Sequence, residues 1–168
     1  MTSTELLADA FERVRDAVHP AVNGLSAEEL AFRPDSESNS IAWLVWHLTR
    51  IQDDHVAGLD GRRQVWTDGG WVDRFGLPLD PGDTGYGHDP DAVAVVTADA
   101  HLLLGYFEAV HERTLGFLGG LADADLARVV DSSWDPPVTM SVRLVSVIAD
   151  DLQHVGQAAY VRGILQRR

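Results

Sequence analysis

Cysteine is absent from this chain of 168 residues. Disulfide frameworks, thiolate metal sites and cysteine nucleophiles are therefore excluded together. Any metal must be held by imidazole and carboxylate, a donor set that suits Zn, Ni, Fe or Mn without choosing among them. Lysine is absent too: all 13 basic residues are arginine, against 26 acidic ones, for a net charge of −13 at pH 7. Nucleic acids draw protein affinity from dense positive charge, so neither they nor an anionic membrane surface suits this chain as a partner. Long apolar runs are missing. The densest, "IAWLVWHL", is too short for a bilayer span and is interrupted by His47. The N-terminus alternates acids and bases at helical spacing and does not read as a signal peptide, so the cytoplasm is the expected location. No glycine-rich phosphate loop and no Gly-x-Ser-x-Gly elbow occurs, which leaves nucleotide and serine-hydrolase chemistry unsupported.

Hydrophobic residues make up 45% of the chain. That is enough for a substantial core, and the length suits one domain spanning residues 1–168. Leu6, Leu7, Ala10, Phe11, Val14 and Val18 recur at spacings of three and four, predicting a first helix from about Ser3 or Thr4 to the Val18–Val22 region. Ser26 and Glu29 have the spacing of a capping box for one short turn. A second helix, capped by Asn39 or Ser40, is expected through about Gly58. Residues 59–89 are rich in glycine and proline and read as a long connection, with a short helix around Gly70–Phe75. Asp89-Pro90 predicts the start of a long third helix ending at Gly119-Gly120, and Thr139 or Ser141 the cap of a last helix reaching nearly to the C-terminus. No hairpin signature competes. The expectation is an all-α four-helix bundle with long connections.

Two stretches carry potential chemistry. In the last helix Asp150 and His154 are four residues apart, so at ~100° per residue both side chains can reach one point on the same face. Asp151 lies three residues from His154 and is the alternative acid, expected in a supporting or solvated position. This spacing fits a surface ion pair as well as a metal site. His47 stands in the most apolar part of the second helix, where burial demands a partner. It fits a core imidazole hydrogen-bonded to a carbonyl or acid as readily as a ligand. Two inward histidines and one carboxylate would form a facial set that leaves coordination positions open, as a catalytic metal requires. His19, His55, His88, His101 and His111 have less to recommend them. Trp43 and Trp46 read as core, whereas Trp66, Trp71 and Trp134 are candidates for lining a pocket.

Two motifs, "SIAWLVWHLTRIQD" (Ser40–Asp53) and "ADDLQHVGQAAYVRG" (Ala149–Gly163), occur in the same chain at a characteristic separation. Together they resemble the DinB-like superfamily, which includes the metal-binding domain of mycothiol-dependent maleylpyruvate isomerase. The likeness spans nearly the whole chain in helix order. It implies a four-helix bundle, often dimeric, with a divalent metal held by His47, Asp150 and His154. Many members carry histidine or glutamate where this chain has the shorter Asp150. Characterised relatives use a low-molecular-weight thiol for transfer or isomerisation, so the resemblance implies a small-molecule substrate with mycothiol as cosubstrate. The alternatives are a metal-dependent hydrolase and a non-catalytic bundle that binds a small ligand or dimerises.

Overall fold

A computed structural model describes residues 1–168. The chain orders as α1 (Ser3–Val22), α2 (Ala27–Leu30), α3 (Ile41–Asp60), α4 (Val65–Asp68), α5 (Trp71–Phe75), α6 (Pro90–Ala94), α7 (Ala100–Gly119), a 3₁₀ turn (Asp123–Ala127), β1 (Val129–Asp131), β2 (Val138–Thr139) and α8 (Met140–Leu165). The four long helices, α1, α3, α7 and α8, form the expected bundle. α3 packs on α7 and α8, and α1 packs on the same two, so α1 and α3 lie across the diagonal.

The caps explain where the helices begin. Thr2 and Glu5 form a reciprocal capping box at α1, Ser26 and Glu29 another at α2, while Ser40 and Thr139 cap α3 and α8 by accepting from Trp43 N–H and Val142 N–H. The third expected helix does not run continuously from Pro90. α6 stops after Ala94, and the Asp99 side chain caps a separate α7 by accepting from Leu102 N–H at 2.7 Å. Val95, Val96 and Thr97 explain the break, because three consecutive β-branched residues resist helical continuation while Asp99 offers a better start. A second departure is a short antiparallel pair in which Val129 faces Thr139 and Asp131 faces Val138. It is too small to show as strand periodicity, and it ties the last connection down onto α8.

The core falls into two apolar clusters. The larger includes Val14, Val18, Leu44, Leu48, Phe107, Val110 and Val155, and the smaller Leu7, Phe11, Leu118, Met140, Leu144 and Val147. Along α3, α7 and α8 the stretch between the clusters carries buried Gln52, His111, Thr114 and Asp151. Gln52 donates to Thr114 Oγ1 at 2.7 Å, and Thr114 donates to the Val110 carbonyl at 2.9 Å. His111 is buried with neither ring nitrogen hydrogen-bonded, its Nε2 3.5 Å from a Glu12 carboxylate oxygen. Asp151 is fully enclosed, and neither carboxylate oxygen has a hydrogen-bond donor.

Candidate metal centre

α3 and α8 meet so that His47, Asp150 and His154 face one another. One potential donor atom from each residue lies within 4.8 Å of the others. The two imidazole rings stand edge to face, with centroids 4.7 Å apart and planes at 70°. Around a first-row ion at ~2.1 Å, neighbouring donors lie roughly 3–3.5 Å apart, so binding would draw these side chains inward by about an ångström. Asp151 is not in the group; one position along the helix turns it away from the seam and into the core.

The hydrogen bonds fix which ring nitrogen each histidine presents. His47 Nδ1 lies 2.6 Å from the Thr84 carbonyl. A carbonyl has no proton to give, so Nδ1–H donates and Nε2 keeps its lone pair. His154 Nδ1–H likewise donates to the backbone carbonyl of Asp150 at 2.8 Å, again leaving Nε2 free. Asp150 Oδ2 stands 3.3 Å from His154 Nδ1 as a charge contact, and it is buried without a hydrogen-bond donor of its own. Two imidazoles with Nε2 unengaged and an unpartnered carboxylate oxygen, gathered in one small cluster, fit a divalent cation.

The charges agree with this arrangement. Burial lowers the pKa of His47 against the pull of the Thr84 carbonyl, and nearby His154 lowers it further, which favours the neutral ring. Burial also works against charge on His154, but the Asp150 carboxylate and carbonyl outweigh it and raise its pKa. For Asp150, burial is outweighed by His154, His47 and His55, and its pKa falls. Without a cation, then, His47 favours the neutral ring, and the Asp150 carboxylate is the group that draws positive charge toward the site.

The surroundings of the three residues are built by Trp43, His88 and the loop around Gly85. Trp43 is core, as expected, but it also stacks on His47 at 4.6 Å and 10° and forms one wall of the site. Its Nε1–H donates to His88 Nδ1 at 3.1 Å, so His88 Nε2 carries the proton and donates to the Asp83 carboxylate at 3.0 Å. Gly85 (φ +88°) lets the loop close over these rings. A Cβ there would fall 2.8 Å from His47 Nδ1 and 3.0 Å from the Trp46 ring. The unusual density of glycine in "PGDTGYGHD" was the available signal. Trp66 is buried in the core and Trp71 packs beside it, so neither lines an open site. Trp134 is exposed beside Val138, Val142 and Arg143. His55 lies two turns beyond His47 on α3, where Arg143 Nη1 donates to its Nδ1 at 3.3 Å; both residues line a 280 Å³ pocket. His19 pairs with Glu108, and His101 is exposed.

No helix is long and apolar enough to cross a membrane. No curated protein matches the chain. Its structure is similar to the crystal structure of a conserved protein from Enterococcus faecalis, with 30% identity over 100% of this chain and 99% of that one and a TM-score of 0.93. The sequence profile of the DinB superfamily matches residues 10–158, nearly the whole bundle and both helices of the site. The chain belongs to the DinB superfamily, whose members are often metal-binding.

Proposed function

We propose that the protein is a metal-dependent enzyme that holds a divalent cation (Zn, Ni, Fe or Mn) between His47, Asp150 and His154 and acts on a thiol cosubstrate of the mycothiol type, in S-transfer or isomerisation. The observation that carries the reading is that His47, Asp150 and His154 bring one donor atom each within 4.8 Å of the others, with both rings held through Nδ1 and a carboxylate oxygen left without a donor. Three protein donors leave further coordination positions open, the mark of a reactive rather than a closed structural centre. A bound cation supplies positive charge that lowers the pKa of an entering thiol and favours its nucleophilic form.

The chain's own residues do the rest. Thr84 and the Asp150 carbonyl hold the two rings in the ligating tautomer, and Trp43 shields the His47 face from water. A 280 Å³ pocket lined by His55, Gly58, Val130 and Arg143 lies about two turns along α3 from His47 and is a candidate to hold the body of a small substrate. The thiol assignment draws on the superfamily's chemistry; the donor geometry supports the metal.

The test is elemental analysis of tag-free protein, with a thermal-shift screen against Zn, Ni, Fe and Mn. Bound metal near one equivalent is expected, lost in His47→Ala and in His154→Ala. If metal content is unchanged in both variants, the assignment is wrong. Titrating loaded protein with low-molecular-weight thiols then separates thiol chemistry, which perturbs the Co-substituted spectrum, from hydrolysis, which does not need the thiol.

A further inference from the structure

The loop that fixes His47 is itself fastened to a buried charge. Arg50, three residues after His47 on α3, is fully enclosed. Its Nε–H donates to the Asp83 carbonyl at 3.0 Å, one peptide before the carbonyl that receives His47 Nδ1–H. The Asp83 carboxylate accepts from Gly85 N–H at 2.8 Å and from His88, so Arg50 grips a stretch already folded tightly on itself.

Several groups hold the guanidinium in turn. Its Nη1 donates to Gln64 Oε1 at 2.7 Å and to the Tyr106 hydroxyl at 3.3 Å, and stands 3.8 Å from Asp53 Oδ2. Its plane lies over the Trp66 ring, 5.0 Å from the centroid. Asp53 accepts from Val65 N–H, Trp66 N–H and the Tyr106 hydroxyl, each at 2.8 Å. Stability alone is a weak reason for such a network, since an apolar replacement of a buried ion pair is often neutral or favourable. What an apolar side chain cannot do is anchor a loop carbonyl in a set direction.

We propose that Arg50 is a positioning residue of the metal centre: it fixes the Asp83 peptide, and through it the Thr84 carbonyl that keeps His47 protonated on Nδ1 and so leaves Nε2 free to ligate. The proposal rests on the reading of His47 as a ligand, but it makes a separate statement about the metal-free protein. Partners that orient a ligating histidine change metal affinity by about 10- to 100-fold when removed. Arg50→Lys keeps the charge and loses the Nε donor in its fixed place.

Two readouts decide it. In metal-free wild type at pH 8, ¹⁵N spectra of the imidazoles are expected to show His47 as a single Nδ1–H tautomer. Arg50→Lys is expected to give a tautomer mixture at His47 and zinc binding weaker by about 10- to 100-fold. His154 is the internal control, because its Nδ1–H is held by its own helix. Gln64→Leu loosens the guanidinium from the half-buried start of α4 and is expected to shift both readouts the same way by less, which keeps the test open if Arg50→Lys does not fold. A wild-type tautomer and wild-type zinc affinity in a folded Arg50→Lys variant, or in Gln64→Leu if that alone folds, would overturn the proposal, even with a lower melting temperature. If wild type binds no zinc, the metal reading fails, and the tautomer alone decides the role of Arg50.

Discussion

Replacing Asp151 by leucine is expected to stabilise the protein, and by more at pH 8 than at pH 5.5. The carboxyl is completely enclosed, and neither oxygen has a hydrogen-bond donor. Burial, reinforced by the negative charge of Asp150, pushes its pKa well above the ordinary aspartate value. For an acid raised in this way, the native state binds more protons than the unfolded chain between the two pKa values. Stability is therefore full below the unfolded pKa and falls as pH rises through the window, by about 1.4 kcal/mol per pH unit. Leucine removes that slope along with an unsatisfied polar group, itself a burden of about 1–3 kcal/mol. Each kcal/mol moves the melting temperature of a domain this size by about 2–4 °C. Melting metal-free wild type and Asp151→Leu between pH 5.5 and pH 8 keeps both above the pI of about 4.7. The gap between them should be wider at pH 8 than at pH 5.5, growing until the pH passes the raised native pKa of Asp151. A pH-independent gap, or a leucine variant less stable at pH 8, would show that Asp151 is charged and satisfied in the native state.

Gly85→Ala should cost stability by about 1–2 kcal/mol for the left-handed backbone alone. It should also weaken zinc binding by about tenfold by pushing on His47; wild-type affinity would mean the loop shifts without the ring. Asp99→Ala should lower the melting midpoint by about 2–4 °C, the worth of one N-cap of about 1 kcal/mol, and no change would mean that α7 starts without it.

The long helices were legible because their determinants are local. Thr2, Ser26, Ser40 and Thr139 each carry the capping side chain, and Leu7, Phe11, Val14 and Val18 mark the inward face of α1. The break at Val95–Thr97 was harder to see, since Asp89-Pro90 is as good a start signal as Asp99 and only packing decides how far each helix runs. His47, Asp150 and His154 could be named from two sequence stretches, because four-residue spacing on one helix and a histidine in an apolar run on another both report on direction. Thr84 acts through a backbone carbonyl, which no side-chain pattern encodes. The buried state of His111 was hidden for a related reason: its neighbours "VHER" look like a solvated face, and the tertiary contacts that bury it come from elsewhere in the chain.

The placement of the centre also says how the fold should respond when metal is removed. The four long helices are joined by apolar side chains such as Val14, Leu44, Phe107 and Val155, which pack on one another without the metal ligands. The bundle should therefore fold without metal, unlike small domains whose binding energy is their folding energy. What the metal-free state does contain is an Asp150 oxygen with no donor and two histidine nitrogens held ready, so the binding free energy adds to a fold already formed. Native-state binding at a free metal concentration of 100 times Kd should then add about 2.7 kcal/mol, or about 5–10 °C in the melting midpoint. Far-UV circular dichroism after treatment with a chelator should keep the helical signal and a cooperative melt at the lower midpoint. Loss of the helical signal on chelation would make the ion part of the core, and an unmoved midpoint on adding zinc would leave the three side chains without the ligand their geometry fits.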